Sequence, residues 1–120
     1  MALNNFSSNK TSVNKNEQFA VTMQIRNIST FGAFSGGQIG AALVNNNGEI
    51  ITVIGNNNRA ALNQQSIAGA ATINCSIPES VTSGQYKLMA VVRETGEEWR
   101  VITKSAVGDD IPNSININVQ

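Results

Sequence analysis

Histidine is absent from this sequence, cysteine occurs once and proline twice, and each scarcity removes a class of function. Without histidine the chain lacks the commonest general base and metal ligand, so Ser-His-Asp or Cys-His catalysis and a zinc site drop out. The single thiol, Cys75, excludes an internal disulfide. Charge is sparse too: only 13% of residues are charged, with eight basic residues balancing eight acidic ones. Such a surface has no footprint for a phosphate backbone, and no nucleic acid partner is expected. Apolar residues never run long enough to span a bilayer, so no membrane insertion by this chain is expected. Residues 1–9 show no basic region followed by an apolar run, hence no signal peptide. An exported natural product would make this chain a mature form or an excised piece.

What the sequence does have is alternation. Phe19, Val21, Met23 and Ile25 alternate with polar residues, as do Ala71, Ile73, Cys75 and Ile77. The same spacing returns at Tyr86, Leu88, Ala90 and Val92, and at Ile115, Ile117 and Val119. Successive side chains of a strand face opposite sides, so each stretch describes a strand with one buried and one wet face. Amides rather than charges keep the wet faces soluble, for there are 17 asparagines.

Turn chemistry separates these stretches. Asn47-Gly48, between the apolar runs 39–44 and 49–54, suits a hairpin with positive φ at both turn residues. A second hairpin turns at Glu94-Thr95-Gly96-Glu97 and returns through Trp99, Arg100, Val101 and Ile102. Pro78 and Gly84 bracket a bend before Tyr86. Residues 59–62 fit a helical turn or a short strand crossing between sheets, and the crossing is the preferred reading. Residues 1–12 form a polar N-terminal segment able to hold an edge strand around Phe6, 13–17 a turn, and 13–120 one domain. Seven or eight strands without βα alternation predict an all-β, two-sheet antiparallel β-sandwich, with a small barrel as the alternative.

Few residues offer chemistry. Cys75 sits on the apolar phase between two isoleucines and reads as core, where a thiol stays protonated and inert. Glu97 and Glu98 are neighbours in a strand, which points them apart and unfits them for a shared glycosidase site. Asp109 and Asp110 lie in a loop without the regular carboxylate spacing of a calcium site and read as solvated. Gly32, Gly36, Gly37 and Gly40 lack the lysine and the strand-to-helix context of a phosphate cradle; Phe31 and Phe34 fix a bend there instead. No cofactor is implied. Asn-x-Ser/Thr triplets begin at Asn5, Asn9, Asn27 and Asn74, a number that chance explains given so many asparagines. Trp99 either closes one end of the core or, beside Arg100, stacks on a sugar or peptide side chain. Together with Phe31 and Phe34, these two residues make up the candidate ligand or docking surface. Tyr86 resembles a tyrosine corner, whose hydroxyl bonds to nearby backbone.

Phe34-Ser35-Gly36-Gly37-Gln38-Ile39, the Asn-Gly hairpin, Ile77-Pro78 leading to Gly84-Gln85-Tyr86-Lys87-Leu88, and Glu98-Trp99-Arg100-Val101-Ile102 before the terminal strand form an ordered set. Over roughly Phe19 to Val119 the chain resembles the immunoglobulin-like module found C-terminal to streptopain-like cysteine peptidases and in other exported proteins of Gram-negative gut anaerobes. The resemblance implies an immunoglobulin-like fold and a non-catalytic accessory role at the cell surface or outside the cell. Its partner would be a neighbouring domain of the same polypeptide, a surface protein or a glycan. No catalytic residue carries over. A surface adhesin or carbohydrate-binding module using Trp99 is the alternative.

Overall fold

Alternation becomes strand throughout the computed structural model, which describes residues 1–106 and 113–120 and shows no helix among them. Asp109 and Asp110 lie outside the described residues. The strands are β1 (Ala2–Ser8), β2 (Ser12–Val13), β3 (Gln18–Arg26), β4 (Gly37–Val44), β5 (Ile50–Arg59), β6 (Ala71–Ser76), β7 (Gly84–Glu94), β8 (Arg100–Val101) and β9 (Ile115–Val119). Against seven or eight expected, the described residues thus form nine, of which β2 and β8 are only two residues long.

They make two sheets rather than one closed barrel. The smaller has the order β1-β3-β6; the larger runs β2-β9-β7-β4-β5, with β8 also paired to β7. Neighbours are antiparallel except β2, which runs parallel to β9. The turn expected over 13–17 forms at 14–17, closed by the Glu17 amide on the Asn14 carbonyl at 3.2 Å, but Val13, one apolar residue among polar ones, belongs to β2 and is fully buried beside Val119. A pair so short leaves no periodic signal. Residues 1–12 also do more than decorate an edge, since Ala2, Leu3 and Phe6 are buried and Leu3 and Phe6 join the main core.

That core fills the space between the sheets. Phe6, Val21, Met23, Ile25 and Ile73 of the smaller sheet meet Ile39, Leu43, Leu88, Val92 and Ile117 of the larger. Fully burying such side chains is worth roughly 1.5–3 kcal/mol each, which stabilises the domain without a disulfide. Of the alternating residues expected inside, only Tyr86, Ala71 and Ile115 are merely half-buried.

The two hairpins form, but the first uses a different turn. Gly48 has φ 81°, while Asn47 is not in the left-handed region. The reason is local: Asn45 Oδ1 accepts hydrogen bonds from the amides of Asn47 and Glu49, at 2.9 and 3.0 Å, which fixes the residues before Gly48. A register shift between Leu43 and Val44 absorbs the extra residue. Residues 60–70 then cross from β5 to β6 without helix, touching other segments through single bridges at Leu62 and Ile67.

At Gly55 the larger sheet lies close against β6 of the smaller. A Cβ built there would stand 2.4 Å from the Asn74 carbonyl oxygen and 2.9 Å from Cys75 Sγ. Glycine thus lets β5 lie against β6, and Asn57 Nδ2 seals the seam by donating to the Thr72 carbonyl at 3.1 Å. Gly55→Ala should therefore lower stability by roughly 1–3 kcal/mol, the usual cost of overpacking, seen as a lower urea midpoint with an unchanged slope. An unchanged midpoint would mean that the seam opens without cost.

Candidate functional site

Pairing of Gly37 with both Arg59 and Glu94 brings the start of β4 and the ends of β5 and β7 to one end of the molecule. The connections 27–36, 60–70 and 95–99 therefore gather there, beside Met1, since Ala2 pairs with Arg26. Asn27 knits them. Its Nδ2 donates to the carbonyls of Gly32 and Leu62 at 3.2 and 3.1 Å, while its Oδ1 accepts from the amide of Ser29 at 3.1 Å. Its own amide donates to the Ser66 carbonyl at 2.9 Å. Being buried with its amide committed, Asn27 offers no acceptor for a glycan, whereas Asn5, Asn9 and Asn74 are exposed.

Phe31 stands at the tip of this assembly and is 96% exposed. Its backbone is nevertheless held: the amides of Phe31 and Gly32 donate to Ser29 Oγ at 3.1 and 3.2 Å. Gln65 Nε2 ties the base of the loop by donating to the carbonyls of Ile28 and Ser29. Phe34, by contrast, is buried in the core and pairs backbone to backbone with Leu62. One aromatic roots the loop and the other projects from it.

Beneath Phe31 lies a hollow of about 410 Å³ lined by Asn27, Phe34, Glu94, Arg100 and Met1, among others. A second hollow, of about 220 Å³, continues past Met1 and Arg100 to Ile102 and Lys104. Two cationic side chains, Arg100 and Lys104, and one carboxylate, Glu94, line this groove. Glu94 is engaged by the Ser35 hydroxyl at 2.6 Å. Among the described residues the only salt bridge is Lys10–Glu17, so none there pairs Arg100 or Lys104 with a carboxylate. Burial, and then the charges of Arg100 and Lys104, hold the amino group of Met1 below its ordinary range.

Of the four expected surface residues, the structure brings Phe31, Phe34 and Arg100 to this groove and turns Trp99 away. Neighbours in a strand face opposite sides, and the register Val91↔Val101 puts Trp99 across from Arg93 on the other face of the larger sheet. There the Arg93 guanidinium lies 4.5 Å from the Trp99 ring centre and donates through Nε to Gln38 Oε1 at 2.8 Å. Trp99 half-covers a small apolar cluster of Ala42, Val44 and Val91, separate from the main core. It does not close one end of the core, as the sequence suggested. Sequence reasoning missed Asn27 as the tie of the loops, and Lys104; a lone asparagine among 17 carries no signal.

The other candidates are quickly placed. Cys75 is buried, and burial pushes its thiol up to about 12. The Tyr86 hydroxyl donates to the Thr82 carbonyl at 2.5 Å, an exposed bond four residues upstream. Glu97 and Glu98 are exposed around the second hairpin turn. Among the described residues no group of three or more acidic, cysteine or histidine side chains gathers to hold a metal ion. Nor is any helix there long and apolar enough to cross a membrane. No protein-family model matches the chain, and no curated protein matches it.

Raising the Cys75 pKa favours the neutral thiol in the fold, so that its contribution to stability is intact below the ordinary thiol value and is lost as pH rises toward about 12. Native protein should consequently react with iodoacetamide no faster at pH ~10 than at pH ~8, although an unfolded thiol ionises across that interval. Acceleration only in denaturant is the expected result; acceleration in the native state would place the sulfur at the surface.

Because Trp99 covers a satellite cluster rather than the core, Trp99→Ala should cost about 1–2 kcal/mol, less than the 3–5 kcal/mol of a core tryptophan. Thermal unfolding of Trp99→Ala, Arg93→Ala and the double variant should yield a coupling of about 0.5–1 kcal/mol. Full additivity would show that the stacked pair contributes nothing jointly.

Proposed function

We propose that this chain is a non-catalytic immunoglobulin-like module that docks a neighbouring domain through its loop end. Strand order supports the fold: β1-β3-β6 corresponds to A-B-E, and β9-β7-β4-β5 to G-F-C-C′ of a variable-type domain. The crossing 60–70 stands where strand D would be. In this scheme the loops beside Phe31 are the B–C and F–G connections, the end with which such domains make contacts. Setting the module in an exported bacterial protein rests on the resemblance of its glycine-rich, Gly84-Gln85-Tyr86 and Trp99 stretches.

The observation that carries the docking role is Phe31, an almost fully exposed phenylalanine on a loop fixed by Asn27, Ser29 and Gln65. A solvent-facing ring gives nothing to this domain's own stability, while a rigid aromatic is well suited to fill a pocket on a partner. The rival reading, a glycan-binding module, draws on Trp99 with Arg93 and Gln38 on the far sheet face.

Placing a photo-crosslinking phenylalanine analogue at position 31 of the whole polypeptide in its native cells separates the two. Crosslinks should join position 31 to another domain of the same polypeptide, and Phe31→Ala should leave the melting temperature of this domain within about 1 °C while loosening that contact. No crosslink from position 31, together with retention on a glycan array that Trp99→Ala abolishes, would establish the glycan-binding module instead.

A further inference from the structure

The groove below Phe31 combines features that restrict what can fill it. Its apolar lining comes from Phe34, Val92 and Ile102, core side chains that are nearly buried, with Phe31 exposed above them. Among the described residues its cations have no salt-bridge partner: Arg100 stands where the two hollows meet and Lys104 lines the second. Its one carboxylate, Glu94, is turned to Ser35. The Ser35 hydroxyl is neutral and leaves the Glu94 charge in place, so two cationic side chains against one carboxylate leave the described lining of the groove with a net positive charge. A neutral apolar ligand would leave these cations partly desolvated and unmatched; a small inorganic anion would leave Phe31 and the apolar lining uncovered.

Resting on the docking role above, we infer that the groove receives an acidic, aromatic-containing peptide segment. An aromatic side chain packs on Phe31 over the larger hollow, and carboxylates follow at Arg100 and Lys104. Arg100 offers a planar fork for a bidentate carboxylate contact, and Lys104 a mobile point charge. The apolar half sets affinity and the cationic half sets selectivity.

Titration of the isotopically labelled chain with two short peptides, one alternating phenylalanine and glutamate and the other phenylalanine and glutamine, tests this by amide chemical-shift changes. The acidic peptide should move signals of residues 29–34 and 100–104 and bind about tenfold tighter than the neutral one, a preference that fades as salt rises from about 50 to about 300 mM. Arg100→Gln and Lys104→Gln should each reduce that preference, and Phe31→Ala should weaken both peptides alike. Equal binding of the two peptides, no binding, or shifts elsewhere would overturn the inference. So would polygalacturonate moving the same signals where the acidic peptide does not. If position 31 still crosslinks to a neighbouring domain after such a result, docking stands and only the acidic segment is lost; without the crosslink, docking itself falls.

Discussion

The loop end depends on one buried amide. Asn27 is the only buried polar side chain among the described residues, and it ties two connections that each cross between the sheets. The 27–36 connection leaves β3 in the smaller sheet for β4 in the larger, and the 60–70 connection returns from β5 to β6. Neither has the regular ladder that would satisfy its carbonyls. Asn27 donates to the Gly32 carbonyl, accepts from the Ser29 amide, and adds a second bond to the Leu62 carbonyl, which already accepts from the Phe34 amide. An apolar residue of similar size would strand the first two of these groups in a dry site, at a cost of about 1–3 kcal/mol for each one left unpaired. Rigidity of the loop that presents Phe31 follows from this satisfaction.

Strand alternation then divides the chemistry of the second hairpin. Trp99 and Arg100 are adjacent in sequence, yet pleating sends one to the far face with Arg93 and the other to the groove with Met1. A surface that used both would need a bulge between them, whereas Trp99 continues the β8 register to stand against Arg93. Each face consequently has its own composition: an aromatic–guanidinium stack beside amides on one, and on the other an exposed phenylalanine near cations that have no salt-bridge partner among the described residues.

How much of this was legible depends on periodicity. Long strands with a clean period of two, such as 19–25, 71–77 and 86–92, were readable, because burial on one face writes itself into every second residue. Two-residue strands were not. Val13 enters the core through a pair with β9 that lies more than a hundred residues away in sequence, and nothing local marks it. The Asn-Gly turn was located correctly and mis-typed, since Asn45, two residues before the pair, decides the conformation through its side chain. Phe31 and Phe34 looked alike as loop aromatics; three residues apart on an irregular segment, no period could say that one is 96% exposed and the other 4%. Lys104 could not be assigned to a groove, because the other wall comes from Met1 at the opposite end of the chain.

Contrast between those two phenylalanines bears on why the loop is built as it is. Phe34 contributes burial to the core and fixes the loop's root through its backbone pair with Leu62, so the loop's position is set before any partner arrives. Phe31 forgoes that burial. A flexible loop carrying the same ring would lose, on binding, about 1–2 kcal/mol of backbone freedom for each residue ordered. Here that ordering is already complete, through bonds from Ser29, Asn27 and Gln65. The area a partner covers on Phe31 is thus available as affinity rather than being offset by ordering, the advantage expected of a preorganised contact. The cations next to it act in the same direction, because no salt bridge among the described residues has to break before a carboxylate can bind.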